Sequence, residues 1–396
     1  MVSVSARWLS LVGEAKRYRG TMVVCILAAA IAVSATAAGA AELPKQTQEF
    51  LKQLKLSPEI LKNLDEELAV PQAWIDGAKK SPTVKITSSD EAPLHAQFIK
   101  PFLERYPFIK IQYQRGSANE RVVKPLIAYR EGRNLADVIR SMDGSLSEFT
   151  KINAAEDLSD LPALKNSVAG IQRHGGLAVA FRSRPYCLAY NTKLLKKEQL
   201  PKTWDDLLTT PELANGHIGA VNLPHLWMMP LWGKFGEAWA TKYLDDYFTK
   251  LQPQVRNEGI NATIGLVAAG EIYVSMPAYP ERIKEMQDKG GPVAFHCPNL
   301  IPLNLSSLAV LRNTPGINGA KLYTNWLLSI EGQIAQLAVF GTPSIHKDLQ
   351  SPEFHVFPDE IRGKEMITYD DEAETAKFIA MWNKYAYGVG GKPPAR

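Results

Sequence analysis

Residues 177–195, LAVAFRSRPYCLAYNTKLL, contain two short apolar runs in succession, and this stretch decides the fold. The first run covers residues 177–181 and the second covers residues 186–190. Asn191-Thr192 then precedes a lysine-rich helical pattern. Continuous apolar runs of this length, bounded by turn residues, predict buried strands. We therefore predict a strand, a brief kink, a second strand, a turn and a helix.

A second stretch far along the chain, PNLIPLNLSSLAVL at residues 298–311, has the same apolar and extended character. Prolines at its start exclude a helix there. Two such strands, widely separated in the sequence, suit a chain that crosses from one lobe to another and later returns.

The segments that flank these crossings repeat a strand, a polar turn and a helix. The pattern occurs three times in the first part of the chain, with strands predicted at residues 83–87, 109–114 and 136–140, and it recurs between the crossings. This alternation predicts parallel sheets with helices on both faces. The expected fold class is α/β, with two doubly wound lobes joined by hinge strands.

The chain of 396 residues is long enough for two domains that each bury a core. We assign residues 81–180 together with 305–350 to lobe 1, and residues 191–300 to lobe 2. Residues 42–80 form a helical extension that covers the outside of lobe 1 or, alternatively, serves as a partner-binding arm. Residues 351–396 are predicted to form a C-terminal helix and a tail.

The first forty residues have the pattern of a signal peptide. Basic residues from Arg7 to Arg19 precede an apolar segment at residues 22–33, and small residues follow, ending at Ala40. The apolar segment is shorter than the roughly 20 residues that a spanning helix needs. We expect export to the periplasm, with cleavage near Ala40 or Ala41.

The net charge and the cysteines narrow the class of protein further. Four of the 45 basic and one of the 41 acidic residues fall within residues 1–40, so the formal charge drops from +4 to +1 after cleavage. That balance gives no indication of nucleic-acid binding. The remaining cysteines, Cys187 and Cys297, either form one disulfide in the oxidising compartment or remain buried as small apolar thiols.

The polar turns after the predicted strands supply candidate binding residues. In open α/β sheets, ligands bind at the carboxyl ends of the strands, where backbone N–H groups and hydroxyls face the crevice. The candidates in the first lobe are Ser88, Ser89, Asp90, Ser117 and Asp143. Serine and aspartate at such positions also cap helix N-termini, so each residue has a structural alternative.

The order and spacing of several segments resemble the extracellular solute-binding proteins of bacterial ABC importers. The closer resemblance is to type II periplasmic binding proteins of the branch that includes ferric-iron, thiamine and polyamine binders. The segments that carry it are TVKITSSD (83–90), ADVI (136–139), YCLAYNTKLL (186–195), TWDDL (203–207), GEI (270–272), LSSLAVL (305–311) and GTP (341–343). The resemblance implies a ligand cleft between two lobes and delivery of the solute to an inner-membrane permease.

The second lobe departs from the iron-binding members of that branch. Those proteins carry a tandem tyrosine, whose phenolates suit a trivalent ion, after the strand that follows Gly-Glu, whereas residues 278–281 here read AYPE. We therefore expect a small organic solute, polar or anionic, and no metal site. The candidates here are Asn222, His225, Tyr279 and Arg282, and Arg282 or Arg115 would pair with a carboxylate or phosphate.

The function that the resemblance implies is the periplasmic solute-binding component of an ABC importer, expected as a monomer without a cofactor or catalytic residues. A ferric-iron transport protein is one alternative. An exported enzyme or a ligand sensor on the same fold is another. No Gly-x-Ser-x-Gly, His-Glu-x-x-His or Cys-x-x-Cys motif occurs in the sequence to support an enzyme.

Overall fold

Twelve strands form two β-sheets in the part of the chain that the computed structural model describes, residues 43–117, 119–142, 146–369 and 371–388. The predicted signal peptide at residues 1–40 and the candidate Asp143 lie outside these ranges. The strands are β1 Thr83–Ser88, β2 Lys110–Arg115, β3 Val138–Arg140, β4 Gln172–Arg173, β5 Ala178–Pro185, β6 Cys187–Asn191, β7 Ile218–Val221, β8 Gln254–Arg256, β9 Val274–Ala278, β10 Val293–His296, β11 Ile301–Val310 and β12 Met366–Ile367.

Helices cover both sheets. They are α1 Lys45–Leu54, α2 Leu64–Glu67, α3 Gln72–Lys80, α4 Ala92–Phe98, α5 Lys100–Arg105, α6 Lys124–Arg130, α7 Leu146–Lys151, α8 Trp204–Leu207, α9 His225–Phe235, α10 Glu237–Asp246, α11 Ile260–Ala269, α12 Pro280–Asp288, α13 Ile317–Leu328, α14 Ile330–Phe340, α15 Pro358–Ile361 and α16 Glu372–Tyr387. One π-helical turn, Asn119–Val123, precedes α6, and another, Tyr247–Leu251, follows α10. Within the described ranges, no helix combines the length and apolar character needed to span a bilayer.

The larger sheet has the strand order β2-β1-β3-β11-β5-β4, with β12 paired to β11. Strands β1, β2 and β3 are parallel, while β11 runs antiparallel to both β3 and β5. Because β5 therefore points in the same direction as β1 and β3, the carboxyl ends of these three strands lie at one edge of the sheet. The polar turns predicted to bind ligand follow strands at this edge.

The smaller sheet has the order β10-β6-β9-β7-β8. Strands β7, β8 and β9 are parallel, and β6 runs antiparallel to β9, so the start of β6 lies beside the end of β9. The register pairs Cys187 with Ala278. This places Tyr186, one residue before Cys187, close to Tyr279, one residue after Ala278, and both lie near the crossing from β5.

The chain passes between the sheets at the two predicted places. Strand β5 belongs to the larger sheet and β6 to the smaller one, with only Tyr186 between them; β10 and β11 make the return passage. A disulfide joins Cys187 to Cys297, so the cysteine pair that the sequence left open is oxidised. Because β10 and β6 pair antiparallel with His296 opposite Leu188, the disulfide continues their ladder at the crossing.

The N-terminal helices are bound to the larger sheet's helices by buried polar contacts. Glu67 at the end of α2 accepts hydrogen bonds from the Ile330 backbone N–H at 2.7 Å and from the His346 ring at 2.8 Å. Glu331 accepts from Thr47 Oγ1 at 2.6 Å, which joins α1 to α14. Both carboxylates are buried, so the segment is an integral part of the first core.

The C-terminal helix α16 packs on the smaller sheet's helices. Trp382 is buried and its indole N–H donates to Asn222 Oδ1 at 3.2 Å, while Phe378 meets the ring of Trp232. Helices α9 and α10, which form one helical region in the sequence pattern, are separated at Gly236, whose φ of 86° breaks the helix. The break lets α10 turn so that α16 packs against both helices.

Candidate functional site

Charged side chains gather at the edge of the larger sheet where β1, β3 and β5 end. Asp90 follows β1, Arg140 is the last residue of β3, and Arg182 and Arg184 lie on the final part of β5. Residues two apart on a strand point to the same face, so Arg182 and Arg184 extend side by side. Both arginines are largely buried, although charged groups are rarely buried unless they are paired.

Asp90 is the anion at the centre of this cluster. Its carboxylate is ion-paired with Arg182 at 2.9 Å and with Arg140 at 3.1 Å. Burial by itself would raise the pKa of Asp90, but the charges of Arg182 and Arg140 outweigh burial and hold the pKa well below its usual range. Asp90 is therefore ionised at neutral pH and fixes the two guanidinium groups.

Arg140 is fully buried in the core and has a structural role. Its guanidinium lies over the rings of Phe181 at 4.4 Å and Phe98 at 5.3 Å, and it donates to the Tyr323 hydroxyl at 3.1 Å. These cation–π and hydrogen-bond contacts compensate a buried charge. Arg140 therefore supports Asp90 from the core, whereas Arg182 lies on β5, the strand that leads to the smaller sheet.

Ser141 connects the ends of the strands to a fourth arginine. Its φ of 58° is unusual for serine, and its backbone carbonyl accepts a hydrogen bond from Arg121 Nε at 3.0 Å. The Ser141 hydroxyl accepts from Arg182 Nη2 at 3.3 Å and contacts the Ser89 hydroxyl at 3.2 Å. The Arg121 guanidinium, from the π-helical turn after β2, thus lies at the same edge as those of Arg140 and Arg182.

Arg184 links the larger sheet to the smaller one. Its guanidinium is ion-paired with Glu281 at 2.5 Å and lies 4.4 Å from the centre of the Tyr279 ring. Glu281 is in the first turn of α12, directly after β9, and the Tyr279 ring is 5.8 Å from that of Tyr186. The carboxyl end of β9 therefore faces the arginine-rich edge of the larger sheet.

Several buried polar atoms of this cluster have no hydrogen-bond partner among the described residues. They include Nε of Arg182, Nε of Arg184 and Oε2 of Glu281. A buried polar atom without a partner costs free energy that a bound ligand recovers. The site therefore offers donors on the side of the larger sheet and an acceptor on the side of the smaller sheet.

Among the described residues, the cluster has more cationic than anionic side chains. The guanidiniums of Arg140, Arg182 and Arg184 face two carboxylates, those of Asp90 and Glu281. His95, stacked on Tyr113 beside Arg140, adds no charge at neutral pH, because burial and the Arg140 charge lower its pKa to about 3. Guanidiniums this close repel one another, which favours an anionic ligand.

Three of the predicted turn residues, Ser88, Ser89 and Asp90, lie at this site. The Ser88 hydroxyl is buried and contacts the Asp90 carboxylate at 3.2 Å, so it positions Asp90 from beneath. Ser89 is only partly buried and contacts Ser141. Ser117 is exposed, and its N–H donates to Glu120 Oε2 at 2.9 Å. This contact lies within one turn of the chain and fits the local structural role that was the alternative to ligand binding.

In the second lobe, Tyr279 lies at the cluster and the other predicted residues have different neighbours. Asn222 follows β7, next to β9 in the sheet, and bonds to Asn257 and Trp382. His225 begins α9 and is half-buried. Arg282 is ion-paired with Glu285 on its own helix at 2.6 Å, and Arg115 is exposed beside Glu91 at 2.9 Å.

The structure brings in residues that sequence reasoning missed. They are Arg121, Arg140, Ser141, Arg182, Arg184, Tyr186 and Glu281. A signal was present in RSRP at residues 182–185, where two arginines alternate inside an apolar strand. Charged residues at a spacing of two in a buried strand indicate that one face of the strand is polar and that its charges are paired or bind a ligand.

The donor set at this site does not suit a metal ion. In the described ranges no group of three or more His, Cys, Asp or Glu side chains is arranged to hold one. The Tyr186 phenol also resists ionisation, since burial and the proximity of Tyr279 raise its pKa. Adjacent guanidiniums oppose a cation further.

The sequence matches the family model described as bacterial extracellular solute-binding protein over residues 83–334. The match begins at β1, so the N-terminal helices α1 to α3 precede it. Among curated proteins, no significant match is found.

Solved structures share the fold at low sequence identity. Iron-bound HitA from Pseudomonas aeruginosa has a TM-score of 0.62 at 19% identity, covering 76% of this chain and 99% of that chain. The ferric binding protein from Campylobacter jejuni has a TM-score of 0.62 at 18% identity, with 78% and 100% covered. AfuA from Actinobacillus pleuropneumoniae, with exogenous fructose-6-phosphate bound, has 0.58 at 17%, with 77% and 98% covered. The predicted fold of a type II periplasmic binding protein is confirmed.

Proposed function

This chain is a member of the bacterial extracellular solute-binding protein family, and on that premise we propose that it captures a small organic anion between its two sheets. It would then deliver this solute to an ABC permease in the inner membrane. The observation that carries the proposal is Arg184 on the larger sheet, which pairs with Glu281 and lies over the Tyr279 ring on the smaller sheet's side, two residues after Arg182.

An anionic solute is favoured over a neutral one by the balance of charge. Asp90 pairs with Arg140 and Arg182, and Glu281 pairs with Arg184, so positive charge remains in excess. Guanidinium groups bind carboxylate and phosphate through two parallel hydrogen bonds, which supports an acidic group on the ligand. The buried Oε2 of Glu281 supports a hydroxyl or amino donor elsewhere on the solute.

Ferric iron is the alternative ligand, because the structural neighbour HitA is iron-bound. The neighbour AfuA, by contrast, holds fructose-6-phosphate. One fold thus serves both ligand classes, and the choice depends on the side chains. Here Tyr186 lies at the crossing and Tyr279 follows β9, with Arg184 over the Tyr279 ring. A guanidinium in that place would repel a trivalent cation, so the arrangement supports the organic anion.

The transport role is favoured over an enzyme or a sensor because the matching family is that of bacterial extracellular solute-binding proteins. We propose that the chain acts in the periplasm after export and that it binds its solute as a monomer. Turnover of a bound solute would indicate an enzyme. Capture of a membrane receptor in place of a permease would indicate a sensor.

A thermal-shift screen tests the proposed function. The panel contains organic acids, sugar phosphates, polyamines and ferric citrate. Stabilisation by one or more organic anions, lost in Arg184→Gln, is the expected result. Stabilisation by ferric citrate or polyamines alone would overturn the proposal.

A further inference from the structure

The ion pair between Arg184 and Glu281 uses only part of the edge that the two groups offer each other. Arg184 Nη2 lies 2.5 Å from Glu281 Oε1. In a guanidinium, Nη2 and the Nε–H share one edge, and a carboxylate that pairs fully with this edge accepts a hydrogen bond from each nitrogen. Here the second nitrogen and the second oxygen, Arg184 Nε and Glu281 Oε2, are both buried and have no hydrogen-bond partner among the described residues.

The two unpaired atoms need opposite partners. The Nε–H of Arg184 is a donor and needs an acceptor, whereas the carboxylate oxygen Oε2 of Glu281 is an acceptor and needs a donor. Both atoms lie next to the contact between Nη2 and Oε1, because each shares a carbon with one of the paired atoms. A hydroxyl donates one hydrogen and also accepts, so it satisfies both atoms at once. An ammonium group only donates and a keto oxygen only accepts, so either of them leaves one buried atom unpaired.

We propose that the solute carries a hydroxyl group that binds between Arg184 Nε and Glu281 Oε2, and that Glu281 thereby selects hydroxylated anions over their deoxy, keto and amino analogues. This inference rests on the proposed function and specifies its class of solute: a hydroxy acid, a sugar acid or a sugar phosphate. The selection arises because a ligand without the hydroxyl leaves both buried atoms without a hydrogen bond, which costs binding free energy.

A donor for the acidic group of the solute lies two residues earlier on the same strand. Arg182 donates through Nη1 to Asp90 at 2.9 Å and through Nη2 to Ser141 Oγ at 3.3 Å. Its Nε is also buried and has no partner among the described residues. Side chains two apart on a strand point to the same face at a spacing of about 7 Å. A solute with an acidic oxygen and a hydroxyl a few bonds apart can therefore contact both Arg182 and Arg184.

The neighbours of Arg184 hold its unpaired atom in place. The guanidinium lies 4.4 Å from the centre of the Tyr279 ring, and that ring is 5.8 Å from the ring of Tyr186. A guanidinium stacked on an aromatic ring and paired at one corner has little rotational freedom. The open corner is thus formed before the solute arrives, and this reduces the entropy lost on binding.

The test uses the full mature protein and sets of matched ligands in calorimetric and thermal-shift titrations. Each set keeps the acidic group and changes one substituent. The sets are lactate, propionate, pyruvate and alanine; malate, succinate, oxaloacetate and aspartate; and glucose 6-phosphate with its deoxy analogues. We expect the tightest ligand to carry a hydroxyl, and the analogue that lacks this hydroxyl to bind about 10- to 100-fold more weakly.

Variants of Glu281 test which atom reads the hydroxyl. In Glu281→Gln the amide oxygen faces Arg184 and an NH2 donor replaces Oε2, so the preference for hydroxy over deoxy ligand should fall below about threefold. Glu281→Asp keeps the charge on a shorter side chain and should lower the same ratio. Opening of the lobes changes all affinities by one factor, so the ratio within a set reports the hydroxyl contact alone. Glu285→Gln, exposed on the same helix, should keep the wild-type ratios.

The outcomes separate the inference from the proposed function. Equal affinity for hydroxy and deoxy analogues would overturn the inference, since a water molecule would then fill the place of the hydroxyl, and would leave the organic-anion function intact. Tightest binding of a keto or amino analogue would overturn it in the same way, as would wild-type ratios in Glu281→Gln. Binding to none of these anions would contradict both the inference and the proposed function.

Discussion

Arg184 and Glu281 form an ion pair of 2.5 Å that joins the last residues of β5 to the first turn of α12. Burial by itself would lower the pKa of Arg184, but the Glu281 carboxylate outweighs burial and raises it, so the guanidinium stays charged. The pair therefore connects the two sheets beside the charged cluster. Any hinge motion between the sheets therefore either breaks this ion pair or moves Arg184 and Glu281 together.

Replacing Arg184 with glutamine should increase the population of open molecules without ligand. The variant loses both the ion pair with Glu281 and the contact with the Tyr279 ring. Small-angle scattering of the unliganded protein should then show a larger radius of gyration than the wild type. Arg282→Gln, whose partner Glu285 is on the same helix, should leave the radius unchanged. Identical radii for all three proteins would contradict this role of Arg184.

Asp90→Asn should destabilise the protein strongly, because Arg140 and Arg182 would remain buried without their anion. Removing one partner of a buried ion pair costs about 3–5 kcal/mol in free energy of unfolding. Urea unfolding measures the loss. The matched control is Asp288→Asn, an exposed aspartate paired with Lys284, for which we expect a loss below about 1 kcal/mol. Equal losses in the two variants would show that the Asp90 pairs contribute little.

Glu360 should contribute a pH-dependent part of the stability. Burial by itself would raise its pKa, but His296 at 3.1 Å and Lys197 at 2.6 Å outweigh burial and lower the pKa to about 2. Since the folded pKa lies below the unfolded value of 4.5, this stabilisation is present above about pH 4.5 and is lost as the pH falls towards 2.

The variant Glu360→Gln should therefore show a shallower decrease of melting temperature than the wild type over that acidic range. Asp359→Asn, at the exposed neighbouring position, should follow the wild-type curve. If the melting temperature of Glu360→Gln decreases with falling pH as steeply as that of the wild type, other carboxylates account for the acid sensitivity.

The disulfide between Cys187 and Cys297 should stabilise the crossing between the sheets. It closes a loop with a sequence separation of 110, and cross-links of native disulfides typically contribute about 2–4 kcal/mol. The double variant Cys187→Ala, Cys297→Ala should lose about that much free energy of unfolding in urea. Dithiothreitol should lower the stability of the wild type to a similar level and leave the double variant unaffected. An equal response of both proteins to dithiothreitol would contradict the assignment.

Glu67→Gln should loosen the N-terminal helices from the larger sheet. The Glu67 carboxylate is buried and accepts from Ile330 N–H and from the His346 ring. Losing a buried, charge-assisted hydrogen-bond network should cost about 1.5–3 kcal/mol or more in free energy of unfolding. Glu66→Gln, at the adjacent exposed position, is the control and should change stability by less than about 0.5 kcal/mol. Faster proteolysis of α1 to α3 in Glu67→Gln alone would support the same conclusion.

The fold could be predicted because its signals are local. The apolar runs around Phe181 and Tyr190, the three repeats of strand, turn and helix, and the prolines that open residues 298–311 each act through neighbouring residues. The structure has β5, β6, β10 and β11 at the predicted crossings. Among the candidate residues, the pattern of polar residues after strands also led to Ser88, Ser89, Asp90 and Tyr279, which the structure places at the charged cluster, and their role in binding stays a prediction.

The arginines could not be assigned from the sequence, because a charge becomes part of a site only through its partners. Arg182 meets Asp90 across 92 positions of sequence, and Arg184 meets Glu281 only because the antiparallel register of β6 and β9 places the end of β9 beside the crossing. Arg282 and Arg115 have the same chemistry as Arg182, yet Arg282 pairs with Glu285 on its own helix and the exposed Arg115 pairs with Glu91.

The sequence alone thus determined the two sheets, the places where the chain passes between them, and the edge at which polar turns collect, since hydrophobic periodicity and turn chemistry are short-range. The tertiary structure decided which charges are buried together, whether Cys187 and Cys297 are joined, and which residues from the two sheets face one another. The physical reason is that burial and ion pairing depend on distances between segments that are far apart along the chain, and strand register sets those distances.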